Sequence, residues 1–471
     1  MDVADADCKV TRYLCRKAQS DSLFAGKLVA NIIRQPYRGI AMSPGLDVVA
    51  VLKHALAGRR RRAVTDWLFT AINFPALLVT FGSVVWCVTT LSFRPLAAIP
   101  WALGISLLGS TVVQYRSRLA EVKVMTGSLL GVQFMDGLPP EPRNVLLRQR
   151  LDEIQTLAAG NLTLYQGFKP FRGYGKVIGG WSFAIDISKP QSMPGPAVQF
   201  DVYAVREYVR RQVEALDWIG LTVAEKVFIS GHDTPIDDQS FIDAAGFPRA
   251  LLDDVAVQKL IMARDSRARP YIVIRLLGWD GELALTMFLR FLIHKKNLFV
   301  ECSHSILTPL LDSYRKAEPL PRTETRMDHV RLFLRSVRMF KRPVSGFTHI
   351  SEWRDDRKAL SPKGRERRRR SSDHGAFFSI REAASDSRYQ RYFQKLDSEM
   401  YTKVVEQRIF DALVEFLDRH NIDTGELIQR TTTILNNGIL VTGNSSIHAD
   451  SVAAGQNSQA NSNSGNNGSG K

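Results

Sequence analysis

WLFTAINFPALLVTFGSVVWCVTTLSF at residues 67–93 and PLAAIPWALGISLLGSTVVQY at residues 95–115 decide the fold of this chain. The two stretches are 27 and 21 residues long, and neither carries a charged side chain. The hydrocarbon core of a bilayer is about 30 Å thick, which takes about 20 apolar residues in a helix. Each stretch can therefore cross a membrane once. The sequence predicts a transmembrane hairpin at 66–115, with helices at about 67–92 and 95–115 and a turn at Ser92-Phe93-Arg94-Pro95.

A pair of helices buried in a large globular core is the alternative, which two adjacent uncharged runs of this length disfavour. Pro75 lies inside the first run and is expected to bend it. Small side chains in the second run would let the two helices approach closely; they are Gly104, Ser106, Gly109 and Ser110. Aromatic side chains near the helix ends suit the membrane interfaces; they are Trp67, Trp86, Trp101 and Tyr115.

Basic residues flank the predicted hairpin on one side only. The membrane-flanking set is Arg59, Arg60, Arg61, Arg62, Arg116 and Arg118, whereas the connecting turn carries only Arg94. Because Lys and Arg concentrate on the cytoplasmic side, both termini are predicted to be cytoplasmic. The expected location is the inner membrane of a bacterial cell, crossed twice.

The formal net charge of +16 suggests an anionic partner. Given the hairpin, anionic lipid headgroups are the simplest explanation, at roughly 1 kcal/mol for each juxtamembrane Lys or Arg. We therefore do not expect a nucleic-acid partner. Four cysteines without paired spacing indicate a reduced compartment and no disulfide framework; they are Cys8, Cys15, Cys87 and Cys302.

The clearest β signal is an antiparallel meander at 271–307. Asp280-Gly281 forms a hairpin turn between strands at 271–277 and 282–293, and Lys295-Lys296-Asn297 forms the turn before a third strand. Further strands are expected at 162–165, 181–187 and 221–230, and helices at about 144–159 and 203–216. The predicted fold class is α+β.

Six regions follow from these patterns. They are an N-terminal helical unit at 1–58, the hairpin, a cytoplasmic α+β domain at 140–345, a basic linker at 350–374, a helical unit at 375–435 and an Asn/Ser/Gly-rich tail at 436–471. A further helix is expected at 325–340. The linker contains nine Lys or Arg between Arg354 and Arg370, and we interpret it as an exposed segment, with lipid or nucleic-acid contact as alternatives. The tail has the composition of disordered segments that are also able to stack as β-structure.

No Walker loop, HExxH, GxSxG, EF-hand or dinucleotide motif is present, and we predict no catalytic residue, cofactor or metal ligand. Residues 173–180 resemble a phosphate cradle, but they lie between strands and are better explained as a loop. A loop at 230–238 gathers His232, Asp233 and Asp238, without a recognisable nucleophile. Cys302 and His304 share one strand face, and His294 lies near the preceding turn. A metal site needs three or four such ligands, so we do not predict one here.

Several phrases resemble a group of uncharacterised two-pass integral membrane proteins of high-GC Gram-positive bacteria. Over residues 10–310 they are Arg12-Tyr13-Leu14-Cys15, Ser43-Pro44-Gly45-Leu46-Asp47, Pro170-Phe171-Arg172-Gly173 to Trp181-Ser182-Phe183-Ala184, and Leu298-Phe299-Val300-Glu301. Residues 401–443 are similar to a C-terminal module of such bacterial proteins and include Ile434-Leu435-Asn436-Asn437-Gly438. The resemblance implies an inner-membrane location and no activity.

The leading hypothesis is a non-enzymatic, membrane-anchored signalling or interaction scaffold. Residues 375–471 would mediate contact with a second copy or with another protein. The first alternative is an oligomeric pore-forming or membrane-perturbing effector, whose lining would include Asn73 and Gln114. The second alternative is an enzyme within the α+β domain, which would require His232, Asp233 and Asp238 to converge in one pocket.

Overall fold

The structure is a computed structural model that describes residues 9–91, 93–127, 141–191, 195–263, 267–315, 334, 344–369 and 373–436. It mixes helices with a sheet, as the α+β prediction expects. The thirteen helices of the described ranges are α1 Lys9–Ser20, α2 Ser22–Leu28, α3 Val48–Thr90, α4 Ala98–Gly127, α5 Val145–Ala159, α6 Val202–Glu214, α7 Asp254–Met262, α8 Asp312–Arg315, α9 Thr348–Leu360, α10 Pro362–Arg369, α11 Ile380–Ala384, α12 Tyr392–Arg419 and α13 Gly425–Asn436. A π-helical turn at Val29–Ile33 and 3₁₀ turns at Arg94–Ala97 and Ser345–Phe347 complete the helical segments.

The strands lie close to where the sequence predicts them. They are β1 Leu162–Tyr165, β2 Lys176–Asp186, β3 Leu221–Ser230, β4 Arg269–Gly278, β5 Leu283–His294 and β6 Asn297–Leu307. The meander β4-β5-β6 is confirmed, with antiparallel pairing along both of its ladders. Asp280 and Gly281 have φ values of 53° and 83°, the left-handed conformation for which Asp-Gly is suited.

The chain divides into two compact units. The first takes residues 1–173, 229–252 and 310–384, and the second takes 174–228, 253–309 and 385–471. Neither follows the predicted boundaries, because the predicted domain at 140–345 contributes to both units. The predicted helix at 325–340 and the predicted tail lie outside the described residues, apart from Leu334 and Asn436.

The core of the first unit is helical. Leu14 from α1, Leu28 from α2 and Leu52 from α3 are completely buried in it, together with Leu310 and Leu360 from far later in the chain. Asp47 begins α3, because its Oδ1 accepts a hydrogen bond from the Ala50 amide at 2.9 Å. Burial of these side chains is the main contribution to the stability of the first unit, because each Å² of apolar surface removed from water contributes about 25 cal/mol to the free energy of folding.

Helix α3 corrects the predicted organisation of the N-terminal half. The sequence suggested a short cytoplasmic helix within 1–58, followed by a separate membrane helix from Trp67. The two form one helix of 43 residues, which also continues through Pro75. Arg59, Arg60, Arg61 and Arg62 are good helix formers and carry the helix across the gap between its two apolar halves.

The predicted basic linker at 350–374 is helical over most of its described length. Residues 350–360 and 362–369 lie in α9 and α10 with many exposed side chains, and residues 370–372 lie outside the described ranges. Ala359 and Leu360 are buried in the core of the first unit, and Arg365 donates to Glu153 at 2.9 Å. The many Lys and Arg residues of this segment led the sequence analysis to miss the packing. A surface helix needs an apolar residue only at every third or fourth position, so a highly charged segment can still pack on a core.

The second unit is built on five strands in the order β3-β4-β5-β6-β2, each pair antiparallel. The last two residues of β3 belong to the first unit. Helices α6 and α12 pack against β5, whose first seven residues are all buried. In the first unit, Tyr165 at the end of β1 accepts a hydrogen bond from the Gly231 amide at 2.9 Å.

Two glycines of the stretch 173–180, Gly175 and Gly180, allow close backbone packing in the second unit. Gly175 has a φ of 92°, and a Cβ atom there would lie 2.1 Å from the Ile306 carbonyl oxygen. A Cβ atom on Gly180 would lie 2.4 Å from the Cys302 carbonyl oxygen, whereas one on Gly179 would meet nothing within 4 Å. Strand β2 already begins at Lys176, so most of the stretch is strand and not loop.

Substitution of the two adjacent glycines should separate these roles. We expect Gly180→Ala to lower the free energy of unfolding by about 2 kcal/mol, because β2 and β6 must move apart to admit the methyl group. Gly179→Ala is the matched control and should change it by less than about 1 kcal/mol. Denaturant unfolding of the purified full-length chain measures both, and equal effects of the two variants would contradict the packing argument.

Candidate functional site: the apolar helix pair and its charged collar

The apolar pair consists of α3 from Trp67 onward and α4. Both helices are long and apolar enough to cross a membrane, by length and composition. In their most apolar 18-residue windows only 28% and 11% of the residues are buried. Large side chains point outward along the pair, among them Trp86 at 60% exposure and Trp101 at 76%. A core helix of a soluble protein would be mostly buried, so this surface is exceptional for a chain surrounded by water.

Polar side chains of the pair lie between the two helices. Ser106 and Ser110 both donate hydrogen bonds to the Asn73 amide oxygen, the second at 3.2 Å, and all three residues are buried. Gly109 brings α4 against the Ile72 side chain, 3.2 Å from a Cβ atom placed there. The predicted close approach at Ser106, Gly109 and Ser110 is confirmed. Gly104 takes no part in it, since a Cβ atom there would meet nothing within 4 Å.

Three of the six predicted membrane-flanking arginines contact protein groups. Arg59 lies 3.1 Å from Glu352 and 2.8 Å from Asp356. Arg61 donates to the Gln19 side chain at 3.2 Å, and Arg62 donates to the Gln19 carbonyl oxygen at 2.7 Å.

The other three predicted arginines lie nearer to solvent. Arg60 and Arg116 are exposed, and Arg118 is partly exposed. Arg60 and Arg116 are therefore more accessible from outside the protein than Arg59, Arg61 and Arg62.

We call the ionic cluster beside the pair the charged collar. It consists of Arg34, Arg59, Asp66, His349, Glu352 and Asp356. Asp356 is its most enclosed carboxylate and accepts from Arg34 at 2.7 Å and from Arg59 at 2.8 Å. The collar therefore joins α9 to the helix that enters the pair.

His349 is held between two carboxylates of the collar. Its Nε2 lies 2.7 Å from Asp66 and its Nδ1 lies 3.2 Å from Glu352. Each ring nitrogen therefore lies within hydrogen-bonding distance of a carboxylate oxygen, and the ring bridges α9 and α3. Burial disfavours the charged form of Glu352, but Arg59 and His349 outweigh it and lower the pKa of its carboxyl group.

The segment just before α9, residues 345–347, contacts the apolar half of α3. The Gly346 amide donates to the Thr70 hydroxyl at 2.8 Å, and Phe347 packs edge to face on Trp67 with ring centres 5.4 Å apart. Phe74 of the same helix also contacts Phe347, with ring centres 6.3 Å apart. Sequence reasoning missed this contact, because its partners lie about 280 residues apart and neither carries a motif.

A second buried ionisable cluster lies in the second unit. Glu406 of α12 accepts a hydrogen bond from the Trp181 indole at 2.8 Å, and His304 Nε2 lies 3.3 Å from the same carboxyl oxygen. Burial raises the pKa of Glu406 and lowers the pKa of His304 to about 4. The Trp181 ring stacks on Phe183 and packs against Phe410, and the rings of Phe183 and Phe410 lie 6.1 Å apart, so the three form one aromatic cluster. These contacts fix α12 on the sheet.

The other sequence candidates do not assemble into a site. His232 and Asp233 are exposed side by side, and Asp238 accepts from the Ser240 amide at 3.1 Å within its own turn. Cys302 and His304 are both buried and lie two residues apart on β6, as predicted, but His294 is exposed at the far end of β5. Within the described ranges, no group of three His, Cys, Asp or Glu side chains could hold a metal ion.

His54 at the base of α3 makes the stability of the first unit sensitive to acid. Its Nδ1 lies 3.1 Å from the Gln19 amide nitrogen, and burial lowers its pKa to about 4. Below its ordinary pKa of 6.5 the unfolded chain takes up a proton more readily than the folded chain, so stability falls as the pH drops from 7 toward 4.

We expect this histidine to cost about 2 kcal/mol of stability at pH 5 relative to pH 7. His54→Gln should remove that part of the loss, as measured by denaturant unfolding at the two pH values. The exposed His232→Gln is the matched control and should leave the pH dependence unchanged. An unaltered pH dependence in His54→Gln would contradict the assignment.

Comparison with known families adds one finding. Residues 180–448 match a family described as the AbeC-like domain. No curated protein and no solved structure matches the chain. The matched range includes α9 with its collar residues, the meander and helix α12. Since the match covers more than half of the sequence, the chain belongs to the AbeC-like domain family.

Proposed function

We propose that this protein is a non-enzymatic, membrane-anchored interaction scaffold of a bacterial inner membrane. The apolar pair spans the bilayer as a hairpin, both termini are cytoplasmic, and the AbeC-like domain is held at the cytoplasmic face. The observation that carries the proposal is the inverted polarity of the pair. Its apolar side chains face outward, and its buried polar residues Asn73, Ser106 and Ser110 face one another. This is the arrangement that hydrocarbon, and not water, stabilises.

The positions of the charges support the same topology. The collar and all six flanking arginines adjoin one end of the pair, whereas Arg94 alone lies at the turn. Charged groups are excluded from the hydrocarbon core, so the first crossing begins after Asp66. The collar neutralises Arg59, which leaves Arg60 and Arg116 in position for anionic lipid headgroups.

Contacts between the family domain and α3 suggest what the membrane anchor holds in place. Residues 345–360 lie within the range that matches the family, and they contact α3 through Thr70, Trp67 and Arg59. The family domain is thereby attached to the hairpin by side-chain contacts as well as by the chain itself. We infer that the domain acts while bound at the membrane surface, with residues 375–471 available for protein contact.

The pore-forming alternative draws less support from the geometry. Its main polar candidate, Asn73, is turned toward α4 and accepts two hydrogen bonds there. A conducting path needs polar groups that line an open passage. The enzyme alternative lacks the required convergence of His232, Asp233 and Asp238.

Topology is testable by cysteine labelling in intact cells. In a chain with Cys8 and Cys87 replaced by serine, Phe93→Cys should react with a membrane-impermeant maleimide added outside. Arg60→Cys should react only after the cells are opened. The chain should also stay in the membrane fraction after washing at alkaline pH. Recovery in the soluble fraction, or external labelling of Arg60→Cys, would contradict the proposal.

The polar contact inside the pair is tested by Asn73→Val. We expect this variant to lose about 1 kcal/mol of stability in detergent, because two interhelical hydrogen bonds disappear. Leu78→Ala is the control, since that side chain is 55% exposed on the outer surface and should have a smaller effect. Thermal unfolding of the detergent-solubilised chain measures both, and a larger loss in the control would count against the proposed orientation of the pair.

A further inference from the structure

Residues 344–358 run beside α3 in the direction opposite to it, and we call them the antiparallel segment. As α3 passes from its basic stretch into its apolar half, its contacts fall on ever earlier residues of the segment. The contacting pairs, in order along α3, are Arg59 with Glu352, Asp66 with His349, Thr70 with Gly346, and Phe74 with Phe347. The start of the segment therefore lies beside the apolar half of α3, and its later residues lie beside the basic stretch.

The start of the segment reaches past Asp66, the last charged residue before the apolar pair. Thr70 and Phe74 lie four and eight residues after Asp66. At a rise of about 1.5 Å per residue, these positions are about 6 and about 12 Å farther along the helix axis. The apolar face of a helix that lies in a membrane surface is buried by about 5–10 Å. The contact of Phe347 with Phe74 therefore puts the Phe347 ring at the boundary between headgroups and acyl chains if α3 crosses a bilayer.

The segment is apolar and uncovered at this level. Val344 and Phe347 are exposed by 48% and 46%, and the Phe347 amide closes a tight turn by donating to the Val344 carbonyl oxygen at 3.1 Å. The Phe347 ring packs on Trp67, which is itself exposed together with Leu68. The apolar surface of the helix pair thus continues onto the turn, and the solvent that suits the first suits the second.

The segment becomes aromatic and then basic as it leaves the apolar half of α3. Trp353 is 55% exposed, and the guanidinium carbon of Arg357 lies 5.5 Å from the centre of its ring. Arg354, Arg357 and Lys358 are exposed, against one exposed acidic residue of this stretch, Asp355. Tryptophan concentrates at membrane interfaces, and basic side chains are attracted to anionic headgroups. Apolar, aromatic and basic is the order of preferences along a chain that leaves a bilayer.

We propose that the antiparallel segment is a second membrane contact, made by the family domain itself. Val344 and Phe347 enter the boundary between headgroups and acyl chains, and Trp353 and Arg357 lie among anionic headgroups. The inference rests on the hairpin proposed above and goes beyond it, because it adds a lipid-binding surface from a part of the chain about 280 residues later. The domain then binds the bilayer directly as well as through α3.

Fluorescence quenching of the full-length chain in lipid nanodiscs tests the depth of each position. Cys8 and Cys87 are first replaced by serine, whereas Cys15 and Cys302 are buried and stay. Single cysteines are then introduced and labelled with a small maleimide fluorophore; they are Val344→Cys, Trp353→Cys, Lys358→Cys, Leu78→Cys and Phe168→Cys. The nanodiscs contain equal amounts of phosphatidylcholine and phosphatidylglycerol. The phosphatidylcholine is either unmodified or brominated on its acyl chains, and iodide is the quencher in water.

We expect brominated chains to reduce the fluorescence at Val344→Cys by about half, with little effect of iodide, because the label lies at the acyl boundary. Lys358→Cys, three helical turns later on the same segment, should show the reverse, and Trp353→Cys should lie between the two. Phe168→Cys is the matched control, since Phe168 is fully exposed in the same unit and should respond to iodide alone. Equal thermal midpoints of the labelled chains show that they fold.

Leu78→Cys separates this inference from the hairpin on which it rests. Leu78 is exposed near the middle of the first apolar run, so brominated chains should quench its label strongly if α3 spans the bilayer. Quenching at Leu78→Cys with iodide access at Val344→Cys and Trp353→Cys would overturn the second contact and leave the hairpin intact. No quenching at Leu78→Cys would overturn both. A Val344→Cys label shielded from both quenchers would assign the turn to a protein contact and would also overturn the inference.

Discussion

The inverted polarity of the apolar helix pair is the constraint on which the rest of this molecule depends. Asn73 accepts hydrogen bonds from Ser106 and Ser110 inside the pair, while tryptophan, leucine and phenylalanine side chains line its outside. Water penalises such a surface by roughly 25 cal/mol per Å² of exposed apolar area, whereas lipid does not. Most of this surface stays uncovered by its own unit within the described part of the chain. A bilayer would resolve this conflict, which is why the membrane anchor is the centre of the proposed function.

The charged collar shows how α9 is attached to such a pair. Partly buried charges are costly unless each group has partners, and here Asp356 has two arginines and His349 has two carboxylates. Because these groups share partners, their contacts between α9 and α3 are coupled. Three collar residues, His349, Glu352 and Asp356, lie in the range that matches the family. The contact with the helix pair is therefore made by the family domain itself.

The second unit uses burial for a different purpose. Glu406, His304 and Trp181 form an enclosed polar group that fixes one face of α12 on the sheet, while Tyr392, Phe393 and Met400 on the opposite face are exposed. The helix is thus held firmly on one side and uncovered on the other.

Local pattern was enough to predict the strands, the meander with its Asp-Gly turn, the two apolar helices and most helix positions. These features depend on side-chain period and turn chemistry, which are properties of neighbouring residues. The continuity of α3, the helices at 348–360 and 362–369 and the division into units could not be predicted in this way. Arg59, His349 and Glu406 acquire their partners from residues more than 100 positions away, and only the folded chain brings those groups together. The sequence by itself therefore determined what each segment prefers, and the tertiary structure decided which charges are paired and which surfaces stay uncovered, because pairing and burial depend on distance in space and not along the chain.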